Sequence, residues 1–188
     1  MRLARLLAIA LLVLGVERAT ASPWSITAYG GPATYTIFTQ TISGHAKLDG
    51  GMISIAADRR LAYLGWGWNL VGEVQIQQFV FGPSYPSIAL GLGVEYHHFP
   101  WEERLPTAMS IFMGPTYSYN PPLAYPTSAW GSRKSLLNYL SFEFAVAVPK
   151  LRKWDAVVRI YHRSGVWGIY TNDADECSVV GVGLRYRF

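Results

Sequence analysis

Cysteine is almost absent from this chain of 188 residues, since Cys177 is the only one. A single thiol cannot form an intramolecular disulfide, so the fold must be stable without a covalent cross-link. Beyond residue 22 the sequence also lacks an apolar run of the about 20 residues that a membrane-spanning helix needs. No amphipathic pattern with the helical period of about 3.6 residues persists over several turns. These absences argue against a disulfide-stabilised domain and against a helical membrane protein.

The first residues show the pattern of a secretory signal peptide. Arg2 and Arg5 precede an apolar run that is too short to cross a bilayer, and the small residues 19–21 follow it. We therefore predict a signal peptide at residues 1–21 and one exported domain at residues 22–188. A retained amphipathic anchor is the alternative.

Excess charge is also missing. The full chain carries a formal charge of +4, and removal of residues 1–21, which hold three arginines and one glutamate, leaves +2. So small an excess gives no support to a nucleic-acid partner, and none is predicted.

Alternation with a period of two takes the place of helical periodicity. In "LSFEF", Leu140, Phe142 and Phe144 alternate with Ser141 and Glu143, so that a strand would have one apolar and one polar face. Several of these segments are longer than the usual strands of a soluble sandwich. Eight such segments occur, at about 23–31, 51–63, 67–81, 86–99, 107–119, 136–148, 154–165 and 176–188.

Five charged residues of these segments lie on the face opposite the continuous apolar one. A bilayer places the apolar face outside and the polar face in the lumen, where opposite charges can pair. We therefore predict an all-β fold, an eight-stranded antiparallel transmembrane β-barrel in the bacterial outer membrane. The last segment, "VGVGLRYRF", resembles the terminal strand of such barrels. The charges predicted to face the lumen are those of Glu73, Glu95, Glu143, Arg159 and Arg185.

The lengths of the connections predict the orientation of the barrel. Short turns, such as "PWEERLP" and "PKLRK", belong at the periplasmic end together with the termini. The longer connections, among them the one near residues 166–175, then belong at the extracellular end. The stretch "YHRSGVWGIYTNDADEC" is therefore expected at the outer leaflet.

This stretch contains a polar trio. Strand parity places His162, Ser164 and Glu176 on the lipid side of adjacent strands, near the outer rim. Polar side chains are costly there unless they are paired. A serine beside a histidine that is oriented by a carboxylate is the arrangement for acyl transfer, so an ester of the outer leaflet is the predicted substrate.

The spacing of the trio resembles that of the PagL-type lipid A 3-O-deacylases. The resemblance lies in "His-x-Ser" and a glutamate twelve residues beyond the serine, in the last hairpin of a small exported barrel. It implies that Ser164 is the nucleophile, His162 the general base and Glu176 the orienting acid. It also implies that the substrate is the ester-linked acyl chain at position 3 of lipid A, with no cofactor and no metal.

The match differs from the family pattern directly after the serine. The family commonly continues Ser-Asn-Ala-Gly, whereas "GVWG" follows Ser164 here. Backbone N–H groups in the turn from Gly165 to Gly168 are therefore the predicted oxyanion donors. His97 and His98 are neighbours in a strand and point to opposite faces, so a shared metal is not predicted.

Two other functions are consistent with the sequence. One is a non-enzymatic outer-membrane barrel that serves adhesion or envelope integrity through its long loops. The other is a periplasmic lipid-binding barrel with its apolar face turned inward. The sequence leaves a homodimer open, and lipopolysaccharide of the outer leaflet is the predicted partner.

Overall fold

The computed structural model of the chain describes residues 23–35, 38–121, 134–166, 169–170 and 177–188. The predicted signal peptide, residues 1–21, lies outside these ranges and stays a prediction. No helix in the described ranges is long and apolar enough to cross a membrane.

The described residues form eight antiparallel strands that close into a barrel in the order of the sequence. One short helix, α1, lies between the first two strands. This architecture confirms the predicted fold class. The elements are β1 (Trp24–Thr34), α1 (Phe38–Ile42), β2 (Gly50–Gly65), β3 (Trp68–Val80), β4 (Pro86–Tyr96), β5 (Thr107–Ser118), β6 (Leu136–Ala147), β7 (Trp154–Ser164) and β8 (Cys177–Arg187).

The strand ends agree closely with the alternation in the sequence. The two largest differences are at β1, which runs on to Thr34 beyond the expected end at residue 31, and at β4, which stops at Tyr96 instead of residue 99. Pairing of β1 with β8 closes the barrel, with Ile26 opposite Tyr186. Closure gives both strands a hydrogen-bonded neighbour on each side, which an apolar surrounding requires.

The two ends of the barrel differ in their connections. One end carries the connections 66–67, 97–106 and 148–153 and is called the turn end. The other, the loop end, carries the connections 35–49, 81–85, 119–135 and 165–176.

The outer wall of the barrel is apolar. Leu92 on β4 is 56% exposed, and the large apolar residues of the other strands alternate with buried ones in the same way. Such a surface suits lipid and not water. It confirms the prediction that the larger apolar face points outward. Other exposed members of this wall are Ile55, Ile76, Leu90, Ile111, Met113, Val158, Val182 and Leu184.

Five charged residues predicted to face the lumen form an ionic network there. Arg159, fully buried, donates through Nη1 to Glu73 (2.6 Å) and through Nε to Glu143 (2.7 Å). Arg185 also pairs with Glu143, and its Nη1 lies 3.5 Å from a carboxylate oxygen of Glu95. Because each charge of this network has an opposite partner, the lumen can hold the five residues at a lower cost than unpaired charges.

Aromatic side chains fill the lumen toward the loop end. Phe79 and Tyr85 stack with ring centroids 4.4 Å apart, and Tyr139 and Tyr161 stack at 5.3 Å. All four are buried. In the described residues, the lumen between the ionic network and the loop end is therefore packed with side chains.

The turn end carries a belt of aromatic rings. Trp154 packs against Tyr186 at a centroid distance of 5.1 Å, and Tyr186 packs edge-on against Phe188 at 5.2 Å. The guanidinium of Arg59 lies 5.4 Å from the ring centroid of Trp24. Aromatic residues at this level are typical of the boundary between membrane and water.

A charge on the outer wall should impair insertion. We expect Leu92→Arg to cost about 2–4 kcal/mol if this position lies near the bilayer midplane. Leu151→Arg is the matched control, because Leu151 is similarly exposed but lies in a connection at the turn end. Heat-modifiable migration after refolding into lipid vesicles measures the folded fraction. Equal folding of both variants would show that Leu92 does not face lipid.

Removal of the central lumen cation should destabilise the barrel. Arg159→Met leaves Glu73 without its cation, and breaking a buried pair in this way costs about 3–5 kcal/mol. Replacing both partners, in Glu73→Gln with Arg159→Met, should recover part of the loss because no uncompensated charge remains at that pair. Guanidinium unfolding in micelles measures both variants. A double variant less stable than Arg159→Met alone would contradict this account.

Candidate active site

Strand β7 places His162 and Ser164 on the outer wall at the loop end. In the sheet, His162 lies opposite Leu140 of β6 and Ser178 of β8, while Ser164 lies opposite Asn138 of β6. Both residues therefore share the face that presents apolar side chains to lipid farther down the strand. Their side chains are two residues apart on one face, which corresponds to about 6.6 Å along the strand.

His162 is shielded by the connection between β1 and β2. Only 6% of the residue is exposed. The ring of Phe38, the first residue of α1, lies against the imidazole with centroids 4.5 Å apart, and Phe38 also stacks with Phe142 at 6.4 Å. The helix thus folds back over the outer wall instead of extending away from the barrel.

A hydrogen bond fixes one nitrogen of the imidazole. Nδ1 of His162 lies 2.9 Å from Oγ of Ser178, which is fully buried. Ser178, the residue opposite His162 on β8, was not among the predicted partners of His162. The predicted contacts of His162 with Ser164 and Glu176 stay predictions. The other ring nitrogen is Nε2.

The other predicted site residues are described only in part. Glu176 and Gly168 lie outside the described residues, so their predicted roles stay predictions. Gly165 directly follows β7 and is buried. Its carbonyl oxygen accepts a hydrogen bond from the backbone N–H of Tyr170 (3.0 Å). This hydrogen bond lies at the start of the connection from β7 to β8, next to Ser164 in the sequence.

Sequence reasoning missed two polar neighbours of the pair. Asn138 and Ser178 are buried on the same outer wall. Together with His162 and Ser164 they form a group that we call the outer-wall polar patch. Polar groups that face an apolar solvent are costly, so four of them side by side are unusual. The parity of β6 and β8 could have found both, because each interrupts a row of apolar side chains.

The remaining candidates take no part in this patch. His97 lies at the turn end, with Nδ1 3.2 Å from the side-chain amide nitrogen of Asn69, and His98 is exposed there. Among the residues with described positions, no group of His, Cys, Asp or Glu side chains is arranged to hold a metal ion. Cys177 is buried in the lumen cluster, on the face opposite the patch.

Comparisons with known proteins define the class of this molecule. No protein-family model and no curated protein sequence matches the chain. Its fold is similar to that of the outer membrane enzyme PagL, with a TM-score of 0.63 and 11% identity over 87% of this chain and 99% of that one. It is also similar to Neisserial surface protein A, with a TM-score of 0.53 and 10% identity over 90% and 99% of the two chains.

A third similar structure is Ail, the attachment invasion locus protein of Yersinia pestis, with a TM-score of 0.42 and 10% identity over 88% and 96% of the chains. At these identities the likeness concerns the fold alone. The closed barrel, its apolar outer wall and the similarity in fold to the first two structures define the chain as a small integral β-barrel of the bacterial outer membrane.

Truncation of the covering ring should expose the histidine. In Phe38→Ala we expect His162 to react faster with diethyl pyrocarbonate, because the ring in contact with the imidazole is gone. Mass spectrometry of the peptide that contains His162 measures the rate, with His98 as an internal reference. Phe81→Ala removes an exposed ring at the same end and is the matched control. Equal rates in all three proteins would show that Phe38 does not shield His162.

Proposed function

We propose that the chain is an outer-membrane esterase that hydrolyses the 3-O-linked acyl chain of lipid A. One observation carries the proposal: a histidine and a serine stand two residues apart on the lipid-facing wall, and the histidine is already held through Nδ1. A lipid substrate reaches this wall without leaving the membrane. Similarity to PagL, which is an outer membrane enzyme, supports the proposal at the level of the fold.

In the proposed reaction His162 acts as the general base. When Oγ of Ser178 accepts a hydrogen bond from Nδ1–H, the lone pair of the neutral imidazole resides on Nε2. This tautomer can take a proton from Ser164. Ser178 is therefore a positioning residue, since it acts through the histidine.

Ser164 is the proposed nucleophile. Its Oγ attacks the ester carbonyl carbon while its proton passes to Nε2 of His162, and the carbonyl π pair moves onto oxygen. Collapse of this intermediate breaks the bond to the lipid A hydroxyl oxygen, which takes the proton from His162. Water then attacks the acyl-enzyme and gives a proton to His162. The second collapse releases the fatty acid and returns that proton to Ser164.

Glu176 is proposed to favour the imidazolium that forms in each step. A carboxylate in this role orients and stabilises the histidine without taking its proton. Because Ser178 already contacts Nδ1, we expect the loss of the Glu176 side chain to reduce activity less than the loss of the His162 side chain. Backbone N–H groups from Gly165 to Gly168 are proposed as oxyanion donors.

A non-enzymatic surface barrel is the second candidate. It is favoured by the similarity to Neisserial surface protein A and by the length of the connections at the loop end. In that case the outer-wall polar patch would only anchor α1 to the barrel. Measurement of ester hydrolysis separates the two functions.

Substitution of the nucleophile should abolish hydrolysis. We expect refolded wild-type protein in micelles to release a 3-hydroxy fatty acid from purified lipid A, as measured by mass spectrometry. Ser164→Ala and His162→Ala should both be inactive, because the hydroxyl is a weak nucleophile without its base. Glu176→Ala should retain more activity than either. Ser110→Ala is the control, since Ser110 is a buried serine of the lumen on β5.

Folding must be shown for every variant by heat-modifiable migration. Equal release by Ser164→Ala and wild type would contradict the proposed nucleophile. Absence of release from folded wild-type protein would contradict the esterase and favour the surface barrel.

A further inference from the structure

We propose that Asn138 is a further catalytic residue, whose side-chain amide donates a hydrogen bond to the oxyanion formed when Ser164 attacks an ester. The inference rests on the proposed function and adds a residue that the spacing of the trio does not contain. A side chain of the neighbouring strand, β6, then stabilises the negative charge of the oxyanion.

The register of the sheet places Asn138 beside the nucleophile. Strands β6 and β7 pair without interruption from Ala147 opposite Asp155 to Asn138 opposite Ser164. Asn138 and Ser164 therefore point to the same side of the sheet. Side chains directly opposite each other in an antiparallel pair have Cβ atoms about 4.5–5.5 Å apart. An amide at this position can reach the oxygen of an ester carbonyl group whose carbon is bonded to Oγ of Ser164.

The surroundings of Asn138 make an apolar residue the expected choice. The row on the same face of β6 continues with Leu140, Phe142 and Phe144, all of which suit lipid. Asn138 is instead only 6% exposed. An amide buried on this wall loses its hydration, so its presence needs a compensating role.

One donor of the amide remains for a substrate. Nδ2 of Asn138 donates to the backbone oxygen of Tyr139 (3.1 Å), a bond that holds the side chain in place. An amide nitrogen carries two hydrogens, so one bond of this kind leaves the second hydrogen for another acceptor. Because the donor is already fixed, little reorganisation is needed when charge develops.

The chemistry of the step requires such a donor. Attack by Ser164 moves an electron pair onto the carbonyl oxygen, and no water from the membrane interior stabilises it. A preorganised N–H group in a site without water stabilises a negative charge much more strongly than the same group in water. Gly165 follows Ser164 directly, and its backbone N–H would supply a donor from the other side.

The test replaces Asn138 with a residue of similar size that cannot donate. Asn138→Leu should fold and insert as well as wild type, because leucine suits the lipid-facing wall. Its kcat should fall by about 10²–10³-fold, the usual effect of losing one oxyanion donor, with little change in KM. Asn138→Gln keeps an amide and should restore part of kcat. Ser141→Ala is the control, since Ser141 is a buried neighbour on the lumen side of β6.

The reaction rate of His162 with diethyl pyrocarbonate shows whether the site is intact. A wild-type rate in Asn138→Leu, together with the loss of kcat, supports a role in the transition state. Unchanged kcat in Asn138→Leu, while Ser164→Ala is inactive, overturns this inference and leaves the proposed function. Loss of kcat in Asn138→Leu with an altered His162 rate assigns Asn138 a structural role and also overturns it. Inactive wild-type protein overturns both.

Discussion

Closure of the strand ladder between β1 and β8 is the constraint on which the other features depend. Hydrocarbon offers no hydrogen bonds, so an open edge would leave a row of unpaired backbone groups. Eight strands close into a barrel just wide enough for side chains to fill. A cavity for a substrate therefore has to lie on the outer wall or among the connections, and the polar patch lies on that wall.

The narrow lumen also explains the arrangement of charges. Arg159 joins Glu73 on β3 to Glu143 on β6, across the interior of the barrel. Tyr139 donates to Glu73 as well, and its ring stacks on Tyr161 toward the loop end. The network thus connects distant strands and supports the wall from inside, directly behind β6 and β7. It links the strands that carry Asn138, His162 and Ser164 to the opposite side of the barrel.

Much of this fold could be predicted from the sequence because strand alternation is local. The alternation of Leu140, Phe142 and Phe144 with Ser141 and Glu143 already contains both faces of β6. When the sheet closes into a barrel, each side chain stays on its own face of the sheet. The parity of a residue within its strand therefore determines whether it faces the lumen or the lipid. The ends of β1 and β4 differ from the prediction because pairing near the rims depends on the neighbouring strand as well as on the strand's own alternation.

The candidate site could be predicted less completely. The pair at His162 and Ser164 was found because both residues belong to one strand. The contact of Phe38 with His162 joins residues far apart in sequence, and a helix of five residues has too few turns to show a periodic pattern. The hydrogen bond of Ser178 depends on the register between β7 and β8, which alternation does not determine.

For the proposed esterase, the outward position of His162 and Ser164 changes the meaning of substrate concentration. An enzyme with an aqueous cleft meets its substrate by diffusion in three dimensions. A site on the outer wall of a barrel meets molecules that move laterally in one leaflet, so its rate would depend on the mole fraction of the substrate among the surrounding lipids. Dilution of the leaflet with inert lipid would slow such a site even when the total amount of substrate in the sample is constant.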